Sequence, residues 1–284
     1  MTANHDLAPG LYLVGTPIGN LEDMTLRSIR VLKQADLIAC EDTRQTQKLL
    51  HHYGIETRAV SYHEHNEASR AAELVEKLAQ GARIAVVSDA GMPGISDPGF
   101  RLVSLAIERG VPVFPVPGPA AFLAAMVASG LPTDSFCFRG FLPAKGGARR
   151  RELEKIGDSS STAVFYEAPH RIRETLADVA EVLGPDRPVV VARELTKIHE
   201  EFLRGTAGEV AQVLNARGDV KGEITLLIGK AAEGASAPRG ISVRERVEEI
   251  MREEKVDEKA ALKKVAKERG ISKSQAYREL QKGK

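Results

Sequence analysis

The sequence has few cysteines and no long apolar run. Cys40 and Cys137 are its two thiols among 284 residues, and their wide separation is typical of buried, reduced cysteines rather than of a disulfide framework or a metal site. The longest wholly apolar runs, such as the one that includes residues 122–128, are far shorter than the roughly 20 residues that span a bilayer. The N-terminus shows no basic segment followed by an apolar one, so we expect a cytoplasmic protein without membrane contact.

The sequence also lacks a strong net charge. Forty Lys and Arg offset 39 Asp and Glu, leaving +1 at pH 7, which argues against a uniformly basic nucleic-acid coat protein and against an acidic disordered tail. The balance conceals a local excess, because residues 257–284 hold nine basic and four acidic side chains. With 43% hydrophobic residues, the composition is that of a globular protein with a sizeable core.

Strands alternate with helices along the first 118 residues. Short apolar runs predict strands at 11–14, 37–40, 59–62, 84–88 and 111–116, and apolar residues at three- and four-residue spacing predict helices at 21–34, 66–80 and 98–109. This rhythm is typical of a mostly parallel sheet, and continuously apolar strands indicate helices on both of its faces. We therefore predict an α/β domain over 1–118.

A second α/β domain is predicted over 119–232, followed by a helical module over 241–284. The second domain has predicted strands at 136–141, 163–166, 189–192, 201–204 and 223–228, and helices at 120–129, 171–183 and 206–216. A linker rich in small residues at 233–240 precedes predicted helices at 243–254, 257–269 and 272–281. The last two helices form a helix-turn-helix-like pair.

The loops after the strands are the expected ligand sites, because open α/β sheets bind ligands beyond the carboxyl ends of their strands. The loop at 14–23 lacks the G-K-[S/T] ending of a phosphate loop, which disfavours nucleoside triphosphates; a tight turn capped by Asn20 explains it equally well. The loop at 87–99 holds three glycines and two aspartates. Asp89 could accept hydrogen bonds from an amine or a ribose, and Asp97 is expected to cap a helix that begins at Pro98.

Polar clusters follow two further strands of the first domain. Glu41 and Arg44 follow the strand at 37–40. At this position an acidic side chain could orient a ribose hydroxyl and Arg44 could hold a phosphate. Alternatively, Asp42 caps a helix that begins here. His63 and His65 follow the next strand. No further ligand accompanies them at a recognisable spacing, so we expect no metal site; RNA contact, proton transfer or a helix start at 66 are the alternatives.

Two similar clusters lie in the second domain. Glu167, His170 and Arg171 end one strand, and Glu194 and Lys197 follow another. A cleft role and a surface salt-bridge network are equally consistent with these residue types.

Five motifs, at 16–20, 88–99, 117–121, 165–171 and 192–200, occur in an order and spacing that resemble the tetrapyrrole methylase superfamily over essentially the whole chain. The resemblance implies two α/β domains with S-adenosylmethionine in the cleft between them, a small C-terminal helical module, and a homodimer. It is strongest to the branch that methylates the 2′-hydroxyl of a cytidine ribose in small-subunit (16S) ribosomal RNA, as free RNA or as the 30S subunit.

The same resemblance implies the residues of the cofactor site. These are Pro17, Asp89, Met92, Ile95, Ala120, Ala121, Tyr166 and Glu223. Met92 and Gly94 depart from the Thr and the larger apolar residue expected in many relatives, which leaves the side-chain contacts at these two positions open. Methyl transfer to an alcohol also requires alignment and removal of the hydroxyl proton. Glu41, His65 and Lys197 are the candidates for this step because of their strand-end positions, and the sequence does not choose among them.

A basic segment at 138–151 predicts RNA contact. It contains a glycine pair, no acidic residue and five cations, namely Arg139, Lys145, Arg149, Arg150 and Arg151, and is expected to form a flexible loop that follows phosphates. Arg44, Lys273 and Arg278 extend the predicted RNA-binding set, whereas Phe138 and Phe141 are assigned to the strand core rather than to base stacking. A small-molecule tetrapyrrole methylase and a DNA-binding regulator with a recognition helix at 272–281 are the competing functions.

Overall fold

The computed structural model describes residues 6–230, 243–268, 276, 277 and 280. The chain divides into two compact units, residues 1–230 and 231–284. The strands of the first unit are β1 Gly10–Val14, β2 Leu37–Cys40, β3 Ala59–Ser61, β4 Arg83–Val87, β5 Val113–Val116, β6 Phe136–Phe141, β7 Thr162–Glu167, β8 Pro188–Arg193, β9 Glu201–Thr206 and β10 Ile224–Ile228. Its α-helices are α1 Leu26–Gln34, α2 Thr43–His52, α3 Glu67–Ala79, α4 Phe100–Glu108, α5 Ala121–Ser129, α6 Gly146–Glu154, α7 Ile172–Leu183 and α8 Ala207–Asn215.

The first five strands form a parallel sheet in the order β3-β2-β4-β1-β5. Alternate residues of these strands enter two separate cores: Tyr12 and Val14 pack on the side of α1, and Leu11 packs on the side of α3 and α4. Both faces are therefore covered by helices, as the apolar strands predicted. This arrangement brings the loops after β1, β2 and β4 to one edge of the sheet.

The second sheet has the order β6-β7-β10-β8-β9 and mixes strand directions. Strand β6 is parallel to β7, whereas β10 runs antiparallel to both β7 and β8, and β8 runs antiparallel to β9. Helices α6, α7 and α8 contribute to the core on one face, and α5 covers the other face together with Ile18 and Leu195. The ends of β7 and β8 and the start of β10 therefore lie at the same edge.

The second unit contains α9 Val243–Glu254 and α10 Glu258–Glu268. Its core includes Val247, Ile250, Ala261 and Val265, and Asp257 caps α10 by accepting a hydrogen bond from the Ala260 N–H at 2.7 Å. Most of the predicted helix at 272–281, with Lys273 and Arg278, lies outside the described residues. Within the described part of the chain, no helix is long and apolar enough to cross a membrane.

Three local predictions are wrong. The segment expected to be a flexible basic loop forms helix α6 from Gly146. Helix α4 begins at Phe100 with Gly99 as N-cap, so Asp97 does not cap it. Cys137 is exposed because β6 is an edge strand, while Cys40 is buried and both thiols are free.

Candidate active site

A cavity of about 340 Å³ lies between the loop edge of the first sheet and one edge of the second. The loop after β4 supplies Asp89, Met92 and Ile95, the ends of β7 and β8 supply Tyr166 and Ala192, and the start of β10 supplies Glu223 and Thr225. The volume falls in the range of small-molecule sites, roughly 300–1,000 Å³. Four separate segments thus converge on one cavity at the position where α/β sheets bind ligands.

Backbone contacts hold the first-sheet loops together. Thr16 and Gly91 form an isolated antiparallel pair, with N–H···O distances of 2.9 and 3.1 Å, and the Thr16 hydroxyl donates to the Ser88 carbonyl at 3.1 Å. Gly15 packs directly against Gly118: a Cβ on Gly15 would lie 2.7 Å from the Gly118 Cα and 2.7 Å from the Met92 sulfur. The wall of the cavity near Met92 therefore depends on glycine at position 15.

Replacement of Gly15 by Ala is expected to lower the free energy of unfolding by about 1–3 kcal/mol, because the methyl group would overpack these loops. Gly147→Ala is the matched control, since no neighbouring atom lies within 4 Å of its added Cβ and alanine is the better helix former. Urea denaturation compares the two variants with the wild type. Equal unfolding midpoints for both variants would show that the loops accommodate the methyl group.

The charge on the cavity wall has one sign. Four acidic residues line it, Asp89, Asp97, Glu167 and Glu223, and no Lys, Arg or His among the described residues does so. Glu167 is neutralised by Arg171, whose Nε lies 3.0 Å from its carboxylate, and it accepts a further hydrogen bond from Thr175 at 2.7 Å. Glu223 also has a cationic partner, because Lys197 lies 3.1 Å from its carboxylate. The carboxylates of Asp89 and Asp97 make the site suited to a cationic ligand and unsuited to one rich in phosphate.

Asp97 lies where this cavity meets a second, outer groove, and it lines both. Burial, with a further contribution from the carboxylates of Glu41 and Asp89, raises the pKa of Asp97 to about 6 despite a hydrogen bond from Ser88. Sequence reasoning treated Asp97 as a helix cap and missed this position.

The structure brings together seven of the eight residues predicted for the cofactor: Asp89, Met92, Ile95, Ala120, Ala121, Tyr166 and Glu223 all line the cavity. Pro17 does not, and its neighbour Ile18 takes that place. Burial raises the pKa of the Tyr166 hydroxyl. Phe141 also lines the cavity, contrary to its assignment to the strand core.

The candidates for proton transfer lie in different surroundings. Burial, reinforced by Asp89 and Glu64, raises the pKa of Glu41, but Glu41 does not line the cavity. His65 is exposed and its ring lies 5.9 Å from that of His63. Asn66 is the N-cap of α3 by position, yet its side chain accepts from the His63 N–H at 2.9 Å instead of capping the helix.

Lys197 connects two strand ends. Its ammonium group donates to Glu194 at 2.8 Å and to Glu223 at 3.1 Å. Burial lowers the pKa of Lys197, but hydrogen bonds to the two carboxylates outweigh burial and the net pKa is raised. A protonated, doubly paired lysine is a poor proton acceptor, so this geometry favours a role in holding β8 and β10 together.

The predicted excess of positive charge at 138–151 is largely neutralised. Arg149 is 3% exposed and its Nε lies 2.6 Å from the Asp178 carboxylate, which also accepts from Arg150 at 2.7 Å. Arg139 pairs with Glu152 at 3.0 Å. The prediction that Arg149 contacts RNA is therefore wrong, because its guanidinium group is buried beneath α7, and the prediction of five uncompensated charges is corrected with it.

The other cations predicted to contact RNA differ in whether an acidic side chain pairs with them. Arg44 is 87% exposed and pairs with Asp42 at 2.8 Å, which caps α2 and has its pKa lowered to about 2 by the side-chain and backbone hydrogen bonds from Arg44. Lys145 is the N-cap residue of α6 and Arg151 lies within this helix, and both side chains are exposed. They have no ion pair with any described residue.

Comparisons with known proteins agree with this architecture. The family model of tetrapyrrole (corrin/porphyrin) methylases matches residues 10–211. A ribosomal RNA small subunit methyltransferase I from Halalkalibacterium halodurans is 48% identical over 271 residues, covering 94% of this chain and 93% of the relative. The protein of the same description from Bacillus subtilis is 46% identical, covering 94% and 92%.

A solved structure shares the fold at lower identity. Uroporphyrin-III C-methyltransferase from Thermus thermophilus, in complex with S-adenosyl homocysteine, is 22% identical with a TM-score of 0.54, covering 78% of this chain and 97% of the neighbour. The predicted α/β fold class and superfamily resemblance are confirmed. The chain belongs to the tetrapyrrole methylase family and, within it, to the ribosomal RNA small subunit methyltransferase I family.

Proposed function

We propose that the protein transfers a methyl group from S-adenosylmethionine to the 2′-hydroxyl of a cytidine ribose in small-subunit ribosomal RNA. The observation that carries this proposal is the acidic cavity between the two sheets, in a chain whose relatives are described as ribosomal RNA methyltransferases. Membership of the methylase family supports the reaction class. The sequence resemblance supports the cytidine and its 2′-hydroxyl as the acceptor.

The residues of the cavity fit the proposed cofactor. S-adenosylmethionine carries a positive sulfonium and a positive ammonium group, and Asp89, Asp97 and Glu223 place carboxylates on the wall. Apolar side chains such as Ile18 and Ile95 provide surface for the adenosine. When bound, the cofactor supplies an electrophilic methyl group on sulfur. The protein itself has to align the acceptor hydroxyl and accept its proton.

Asp97 is the best placed proton acceptor in the described structure. Asp97 lines both the cavity and the outer groove. A pKa of about 6 leaves it ionised near neutral pH, yet more basic than an ordinary aspartate, which favours proton transfer. Glu41 adjusts this pKa from the neighbouring strand end. His65 and Lys197 stay open as predictions that variants can test.

The function is tested with S-adenosylmethionine labelled in its methyl group. Purified protein is incubated with 30S subunits and, separately, with naked 16S RNA, and the product is digested with alkali. A 2′-O-methyl group blocks cleavage of the adjoining phosphodiester, so the label is expected in alkali-resistant dinucleotides that contain cytidine. Label in a base would overturn the 2′-O assignment. Label only in an added tetrapyrrole, with none in either RNA, would support the competing methylase function.

RNA phosphates are proposed to contact the exposed cations of α6. Double charge reversal, Lys145→Glu with Arg151→Glu, is expected to weaken RNA binding and to reduce the slope of log K against log salt by about 1–2, because each phosphate contact contributes roughly 0.7–0.9 to that slope. Lys33→Glu on α1, also an exposed cation, is the control. Filter binding between 50 and 200 mM salt measures the slope. An unchanged slope would place the RNA elsewhere.

A further inference from the structure

Phe141 is an exposed aromatic ring at the mouth of the cavity. It lines the cavity and is 59% exposed, although another phenylalanine of the same strand, Phe138, packs against the core of the second sheet. A phenylalanine that remains this exposed on the wall of a binding site has apolar surface available to a ligand. The surrounding protein does not use that surface.

A β-bulge in β6 places the ring there. Phe138 pairs with Val164 and Phe141 pairs with Tyr166, so three residue steps on β6 oppose two on β7. Without the extra residue, Phe141 would point to the face opposite Phe138. Gly140 sits inside the bulge with φ +66°, a conformation suited to glycine. As a result the rings of Phe138 and Phe141 both contact Tyr166, at centroid distances of 4.9 and 5.6 Å.

We propose that Phe141 is a stacking platform for an unpaired nucleobase of the substrate RNA at the mouth of the cavity. This inference rests on the proposed function, because it names how the same site receives its RNA. Single-stranded RNA is commonly held by aromatic side chains on which its bases stack. The bulge supplies such a ring beside the cavity without changing the remainder of the sheet.

The charges around the ring select a base rather than another part of the RNA. The cavity wall is acidic and repels phosphates, so only a neutral base or a ribose can approach it closely. Lys145, the N-cap of α6, and Arg151, within α6, follow Phe141 in the sequence. Neither residue lines the cavity. A strand whose phosphates lie along these cations can therefore turn one base onto Phe141 and direct its ribose towards Asp97.

The cofactor is a less suitable partner for this ring. Tyr166 lies deeper, with burial raising the pKa of its hydroxyl, and it shields one edge of Phe141. An adenosine enclosed by the cavity has Ile18, Ile95 and Ala121 available to it. Phe141 is 59% exposed, which leaves apolar surface for a second, incoming ring.

The test separates RNA binding from cofactor binding. Phe141→Ala, Phe141→Leu and Phe141→Trp are compared, with Phe136→Ala as matched control because Phe136 is on the same strand, is 40% exposed and does not line the cavity. Affinity for a short single-stranded RNA is measured by anisotropy, and affinity for S-adenosylmethionine by calorimetry. We expect RNA affinity to fall about tenfold or more in the Ala and Leu variants and to be retained by Trp.

Other outcomes have distinct meanings. Loss of S-adenosylmethionine affinity with unchanged RNA affinity would overturn the proposal and assign Phe141 to the cofactor. Wild-type RNA affinity in the Leu variant would also overturn it, because leucine keeps the apolar contact and removes the stacking surface. The binding assays need no methylation, so they can succeed even if the labelling experiment shows that the proposed reaction is wrong.

Discussion

Replacement of Asp97 by Asn is expected to slow methyl transfer by about 100- to 10,000-fold, the usual contribution of a positioned general base. Asparagine keeps the shape and the hydrogen bonding of the side chain but cannot accept the proton of a ribose hydroxyl. Asp97 lies on the cavity wall and meets the outer groove, so it is available both to the cofactor side and to an incoming RNA. Single-turnover methylation at saturating cofactor and RNA measures the effect.

The pH dependence gives an independent readout of the same group. Since the pKa of Asp97 is raised to about 6, the carboxyl group is protonated and inactive below that pH. The wild-type rate should therefore rise with unit slope up to about pH 6 and level off above it. Glu41→Gln removes one of the charges that raise this pKa and should move the rising limb to lower pH.

Matched variants decide between Asp97 and the other candidates. Asp134 is an exposed aspartate that does not line the cavity, so Asp134→Asn should behave as the wild type. Cofactor affinity is measured in parallel, because Asp97 also contributes negative charge to the cavity. If Asp97→Asn keeps the wild-type rate and pH profile while Glu41→Gln loses activity at every pH, Glu41 is the base and the assignment to Asp97 is wrong.

Sequence patterns located the cavity but not all of its chemistry. The loops after β1 and β4 could be predicted because an apolar strand followed by glycines and aspartates is a local signal, and seven of eight predicted cofactor residues do line the cavity. Asp97 was misjudged because a capping aspartate before Pro98 is also a local pattern. The helix begins two residues after Pro98, at Phe100, and the carboxyl group is left for the cavity.

The errors at 138–151 have a different physical origin. The carboxylate that pairs with both Arg149 and Arg150 belongs to Asp178, which lies on the next helix, α7. No pattern within the basic segment could reveal that pairing. Phe141 was likewise placed in the core as an apolar residue of a predicted strand. No local pattern shows the extra residue in β6 that brings its ring to the same face as Phe138, at the wall of the cavity.

The buried pair of Arg149 and Asp178 leads to the second large prediction. Replacement of Arg149 by Ala is expected to lower the free energy of unfolding by about 3–5 kcal/mol, because Asp178 would keep a buried charge with only the more exposed Arg150 beside it. The side chains of Arg149 and Asp178 are 3% and 6% exposed. The Arg149 guanidinium also reaches the Ala144 carbonyl at 3.4 Å, so its loss disturbs the turn that leads into α6.

Arg151→Ala is the control for this prediction, since the side chain of Arg151 is exposed two residues further along α6. Its unfolding free energy should stay within about 0.5 kcal/mol of the wild type. The double variant Arg149→Met with Asp178→Leu should recover much of the stability lost by Arg149→Ala, because replacing both partners of a buried pair leaves no uncompensated charge. Urea denaturation measures all four proteins, with a constant m-value as the check on two-state unfolding.

Substitutions at two positions of α6 should affect stability and RNA affinity independently. Arg149→Ala should lose stability and, where it is still folded, bind RNA as the wild type does, because a buried guanidinium has no access to phosphate. Arg151→Glu should keep its stability and lose RNA affinity, because its charge faces solvent. If folded Arg149→Ala loses RNA affinity while Arg151→Glu retains it, the assignment of the RNA contact to Arg151 and not to Arg149 is wrong.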